Sequence, residues 1–194
     1  MMIENIFPTP ILYDFVSDNE DIKYDIDKII DKVDFNMIKG WGDTHYISTD
    51  FKSNPNILKE YGLVKLSKEI DKHLGNYCSA LNVEKKKYSM ISWFTKFKKG
   101  NYGHVHHHSY ADMSGVYYYK TNGDDGDLFF QSPNQNLDTS KCYTNISNSW
   151  VHKPMEGKIL IFPGWIRHGI TTNSTDNIRM SLSFNIIFED KGYE

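Results

Sequence analysis

Arginine is nearly missing from this chain. Of its 22 basic residues, only Arg167 and Arg179 are not lysine. Generic positive charge therefore falls to lysine, and an arginine invites a specific reason, such as planar bidentate recognition of a carboxylate. Cysteine is equally scarce. Cys78 and Cys142 stand far apart with no CxxC spacing, which speaks against a disulfide framework and reads as two reduced thiols. No apolar run approaches the roughly 18 residues of a membrane span. The start MMIENIFPTPILYDF lacks the basic opening and long apolar core of a signal peptide. A cytoplasmic protein without a membrane partner is expected. The net charge of −3 speaks against a general binder of nucleic acid. Repeats and low-complexity linkers are absent too. With 194 residues, 39% hydrophobic and 24% charged, the expectation is a single domain over 1–194 with a sizeable core.

The pattern divides that domain into a helical part, 1–84, and a strand-rich part, 85–190. In SDNEDIKYDIDKIIDKV, Ile22, Ile26, Ile29, Ile30 and Val33 recur at helical spacing, with Ser17 or Asp18 as the cap. A second helical pattern from Asn56 to Leu81 carries Leu63, Leu66, Ile70, Leu74 and Tyr77, with Gly62 and Gly75 as candidate breaks. The segment between, Phe35 to Pro55, reads as an irregular connection. After Glu84 the period changes. YSMISWFTKF, SGVYYYK, GDLFFQS, GKILIFP, RHGITT and NIRMSLSFNIIFE are short β-branched and aromatic runs separated by turn signals. The fold class expected is mainly β with N-terminal helices, a sandwich or jelly roll whose exposed sheet face the helices cover.

What the chain does have is a concentration of histidine. NYGHVHHHSYADMSGVYYY places four of the eight histidines within five positions. If GHVHHHS is extended, His104, His106 and His108 share one face, with neighbours roughly 6.5 Å apart along the backbone. Two imidazoles can converge on one ion across that gap, and imidazole is the commonest side-chain metal ligand. The alternative is a polar loop that happens to be rich in histidine.

A second signal lies further along. A turn centred on Asn173 and Ser174 would pair His168 nearly opposite Arg179. Arg179, Ser181, Ser183 and Asn185 alternate with Met180, Leu182, Phe184 and Ile186. Either the polar row faces water, or it lines a pocket while the apolar row packs against the covering layer. The scarcity of arginine favours the pocket.

The blocks HHHSYADMSGVYYY, GDLFFQSP, GKILIFPGWIRHGI and RMSLSFN, in this order over about Trp93 to Phe188, resemble the non-haem iron, 2-oxoglutarate-dependent oxygenases. The resemblance is to the small bacterial and phage members of that superfamily, which are prolyl-hydroxylase-like. It implies a double-stranded β-helix, the cupin-like jelly roll. It also implies Fe(II) on the proximal pair His106 and His108 and the distal His168. Arg179 with Ser181 resembles the family's R-x-S element, which holds the distal carboxylate of the cosubstrate 2-oxoglutarate. Tyr118 is similar to a tyrosine that binds the same carboxylate. The departure is His108, where the superfamily normally supplies Asp or Glu. It is either a true ligand or a neighbour of a two-histidine site, and Asp112 is a further candidate to reach back.

The activity implied is C–H hydroxylation with dioxygen, coupled to conversion of 2-oxoglutarate to succinate and CO2. Two other readings stay open: a cupin-like three-histidine metal protein that does not use 2-oxoglutarate, zinc suiting three imidazoles, and a non-catalytic jelly-roll binding module. The substrate class, small molecule or protein side chain, is not separable from the residues, and an oligomer is not readable. The segment from Ser132 to Lys153 is long enough for a lid or recognition element, with Trp150 and His152 as candidate contacts.

Overall fold

The computed structural model describes residues 8–38, 43–49, 55–134 and 149–189. Two antiparallel sheets stack face to face, with helices against the outer face of the larger one. The strands are β1 (Leu12–Phe15), β2 (Tyr46–Ile47), β3 (Tyr88–Phe97), β4 (Gly103–His106), β5 (Met113–Lys120), β6 (Leu128–Gln131), β7 (Ser149–His152), β8 (Lys158–Pro163), β9 (His168–Ile170) and β10 (Arg179–Phe188). The large sheet runs β1-β8-β5-β10-β3-β2 and the small one β4-β9-β6-β7. This is the jelly-roll arrangement that the short, punctuated runs imply.

Helices α1 (Asn19–Asp27), α2 (Ile57–Glu60) and α3 (Val64–Ala80) bury Ile22, Ile26, Leu66, Ile70 and Leu74 at the expected spacing. A single 3₁₀ turn, Ile30–Lys32, follows α1. Asp18 is the cap residue of α1, but its side chain makes no capping bond. Gly62, at φ +64°, separates α2 from α3, a backbone conformation that costs glycine little. Gly75, by contrast, stays inside α3 and does not break it. The part read as helical also supplies β1 and β2, which extend the two edges of the large sheet. None of the described helices is long and apolar enough to cross a membrane. Cys78 is a buried free thiol, and Cys142 lies outside the described residues.

Strand alternation decides what faces where. On β10, Leu182, Phe184 and Ile186 join Phe94, Tyr117, Ile159 and Ile161 in the core under the helices. From the opposite faces of the same strands, Val116, Tyr118, Leu160 and Phe162 meet Leu128, Phe130 and Ile166 between the sheets. Strand β8 is covered on both faces, which is why ILIF reads as one continuous apolar run.

Candidate metal centre

Pairing of β4 with β9 sets His106 directly opposite His168, and their ring centroids are 4.4 Å apart. His108 arrives differently. The strand ends at His106, and a turn held by His108 N–H on the Gly164 carbonyl (2.7 Å) and Ala111 N–H on the His108 carbonyl (2.8 Å) brings the third ring back. Its centroid lies 4.8 Å from that of His106 and 5.3 Å from that of His168. One nitrogen from each of the three rings lies within 4.8 Å of the other two. Three imidazoles this close could share a single ion. His104, expected on the same face, is exposed and packs edge-on against Tyr102, and His107 is exposed. Asp112 does not reach back: its carboxylate accepts from the Phe188 N–H at 2.8 Å.

Burial, reinforced by the neighbouring imidazoles, holds these rings neutral. His108 is pushed down to about 2 and His168 to about 3, and His106 is lowered by the same desolvation. Neutral imidazole is the form that binds a metal.

The rings line a cavity of about 80 Å³ whose lining also includes the polar row of β10: Arg179, Ser181, Ser183 and Asn185. Register explains the row. Ser181 pairs with Thr95 on β3 and with Tyr118 on β5, while Arg179 pairs with Phe97 beside a register shift between Met180 and Ser181. The expected pairing of His168 with Arg179 does not form. Strand β9 belongs to the small sheet and β10 to the large one, because residues 171–178 cross between the sheets and do not close a hairpin. The two residues line the same cavity from different sheets instead.

Arg179 is fully buried. One guanidinium N–H donates to the Gly126 carbonyl at 2.9 Å, and the group lies 5.1 Å from the Phe97 ring and 5.0 Å from the Tyr118 ring. Its Nε and the Tyr118 hydroxyl are buried without a hydrogen-bond partner among the described residues. Desolvation lowers the Arg179 pKa and raises that of Tyr118. A buried cation facing a cavity, with open donors and no salt bridge among the described residues, fits a small carboxylate. The donor set of three neutral imidazoles fits a first-row divalent metal. Tyr118 itself does not line the cavity; it backs the guanidinium. Ser181 Oγ shares a 2.8 Å hydrogen bond with Thr95 Oγ1.

Among the lining residues that the sequence alone does not single out are His45 and Trp93. His45, from the connection before β2, stacks on Phe97 at 4.5 Å, and burial pushes it down to about 4. Trp93 sets its ring edge-on to His108 at 6.2 Å. Neither carries a local signal, since their relevance comes from long-range packing. Trp150 and His152 border a second cleft of about 350 Å³ with Tyr13 and Phe130. Most of the candidate lid, 135–148, lies outside the described residues.

Residues 91–185 match the family model described as "Putative 2OG-Fe(II) oxygenase". None of the curated proteins matches the chain significantly. A Pseudomonas putida prolyl-4-hydroxylase superposes with a TM-score of 0.59 at 13% identity, covering 94% of each chain. HygX from Streptomyces hygroscopicus, solved with nickel and 2-oxoglutarate bound, gives 0.65 at 10% identity over 92% of this chain and 82% of its own. A Trichoplax adhaerens prolyl hydroxylase, in complex with a hypoxia inducible factor peptide fragment, gives 0.62 at 11% over 92% and 83%. These likenesses establish the double-stranded β-helix fold. Joined to the sequence match across the strands that carry the histidines and Arg179, they lead to one conclusion: the chain belongs to the 2OG-Fe(II) oxygenase family.

Proposed function

We propose that His106, His108 and His168 hold Fe(II), and that Arg179, with Ser181 and Tyr118 beside it, takes the distal carboxylate of 2-oxoglutarate. The reaction would be hydroxylation of a substrate C–H bond with release of succinate and CO2. The observation that carries this reading is one cavity lined both by a three-imidazole cluster and by a buried guanidinium that has no salt bridge among the described residues. Bound iron supplies the oxidising chemistry that couples 2-oxoglutarate breakdown to oxygen transfer from O2.

The chain's own residues supply the rest. His106 and His168 donate Nδ1–H to the carbonyls of His104 (2.7 Å) and Ile166 (2.9 Å), which leaves each Nε2 lone pair for the metal. Arg179 supplies the positive charge and donors that orient a dicarboxylate, and its burial makes that pairing selective for a carboxylate over water. Val116, Leu128, Phe162 and Ile170 also line the cavity and restrict water near the reacting groups. The similar structures include one with a peptide and one with a small molecule bound, and we place this chain's substrate in those broad classes.

The test is calorimetry of 2-oxoglutarate binding under argon with Mn(II) as an inert surrogate, followed by succinate measurement with Fe(II) in air. Binding that requires the metal, and succinate that requires iron and oxygen, are the expected results. Metal-loaded protein that ignores 2-oxoglutarate would favour the cupin-like alternative, for which three imidazoles with no carboxylate already suit zinc.

A further inference from the structure

Two of the three histidines owe their ring orientation to the backbone; the third does not. Carbonyls only accept, so the bonds to His104 and Ile166 fix the proton of His106 and of His168 on Nδ1. His108 Nδ1 meets instead the side-chain amide of Asn185, 3.5 Å away. That amide is fully buried on β10. Its other neighbours are Ser114 Oγ at 2.8 Å on one end and the Tyr110 hydroxyl at 2.6 Å on the other.

An amide's two ends have nearly the same shape, so their hydrogen-bond partners decide which faces which. In the structure the nitrogen faces Tyr110 and His108. Asn185 N–H can then donate only to an unprotonated His108 Nδ1, which puts the imidazole proton on Nε2 and leaves no lone pair there for a metal. A half-turn of the amide reverses this. Oδ1 then accepts from both His108 Nδ1–H and the Tyr110 hydroxyl, the NH2 group donates to Ser114 Oγ, and Nε2 is free to ligate.

We infer that Asn185 is the positioning residue of the third histidine: with its amide oxygen turned to His108, it holds the ring in the Nδ1–H tautomer and so admits His108 to the metal site. This rests on the three-histidine reading above and deepens it. The outer partners of His106 and His168 are backbone carbonyls that no substitution removes, whereas the partner of His108 is one side chain that can be exchanged. The amide orientation thus decides whether the site has two histidine ligands or three.

The experiment is zinc affinity by competition calorimetry for the wild type, His108→Ala, Asn185→Asp and Asn185→Leu, with ¹⁵N spectra of the histidine rings in the zinc-loaded wild type. Asn185→Leu should weaken zinc about 10- to 100-fold, the usual effect of losing an outer partner. Asn185→Asp, which can only accept, should retain wild-type affinity or better, and His108 should show a protonated Nδ1. Equal loss in the Leu and Asp variants would mean that Asn185 serves packing alone and would overturn the inference. So would weakening by His108→Ala without any by Asn185→Leu. If His108→Ala binds zinc as the wild type does, the three-histidine reading itself falls. Should Asn185→Leu fail to fold, the ring spectrum of the wild type still decides, because an Nε2–H His108 in the loaded protein contradicts the inference directly.

Discussion

Replacing Arg179 with methionine should separate stability from cosubstrate binding. The guanidinium is fully buried, with one hydrogen bond to the Gly126 carbonyl and two aromatic rings as its company. Exchanging buried ionic groups for apolar ones of similar volume is often neutral or stabilising, by about 1–4 kcal/mol. Against that, the Gly126 carbonyl loses its donor, at about 1–3 kcal/mol. The ligand-free variant should therefore lie within about 3 kcal/mol of the wild type. Binding should behave otherwise, because truncating one partner of a buried charge pair costs about 2–5 kcal/mol, or roughly 30- to 5,000-fold in affinity. The assay is thermal unfolding with Mn(II) under argon, with and without 2-oxoglutarate. At 100 times Kd a ligand stabilises by about 2.7 kcal/mol, which for a chain of this size is a rise of about 5–11 °C. The wild type should show that rise and Arg179→Met almost none. A ligand-free variant weakened by more than about 4 kcal/mol would make Arg179 a structural strut, and a full rise in the variant would remove it from the cosubstrate site.

His106→Ala and His168→Ala should each weaken metal binding by more than the about 10- to 100-fold expected for an outer partner, whereas His107→Ala should leave it unchanged in the same chelator titration. Gly164→Ala should disturb the turn that delivers His108: its Cβ would stand 2.1 Å from the Ala111 carbonyl oxygen and 2.8 Å from that of His108. Denaturant unfolding should show a loss of about 1–3 kcal/mol or more, accompanied by weaker metal binding. Acid should destabilise the metal-free protein. His108 and His168, lowered by burial to about 2 and about 3, stay neutral in the fold but take up protons in the unfolded chain below about pH 6.5. Their contribution is fully present above that pH and is lost as pH falls toward the folded values, by up to about 1.4 kcal/mol per histidine per pH unit. A denaturation midpoint that stays flat from pH 7 to 5 would contradict this assignment of neutral rings.

The residues that line the cavity were more legible than the path of the chain between them. The polar row of β10 was legible because period-2 alternation needs no knowledge of the partner strand, and burial of Leu182, Phe184 and Ile186 under the helices follows the same rule. The proposed hairpin was not, since symmetry about Asn173 and Ser174 looks alike whether the chain turns back in one sheet or crosses to the other. Both topologies bring Arg179 near His168, one across a ladder and the other around a shared cavity. Scarcity of arginine singled out Arg179, which is buried and lines the cavity, yet Arg167 shows the limit of that reasoning: it is exposed, and its Nε donates to the Gln131 side chain at 3.3 Å. Strands β1, β2 and β7 went unread because each is an edge of at most four residues with little burial to impose a pattern. His108 is the most instructive case. Simple alternation put it on the face of His106 in an extended strand, but the strand stops at His106 and a turn pinned to Gly164 returns the ring to the same place. His106 and His168 take their ring orientation from the backbone carbonyls two residues before them. The ring of His108 meets the side chain of Asn185, and the tautomer proposed for it can be tested by exchanging that one residue.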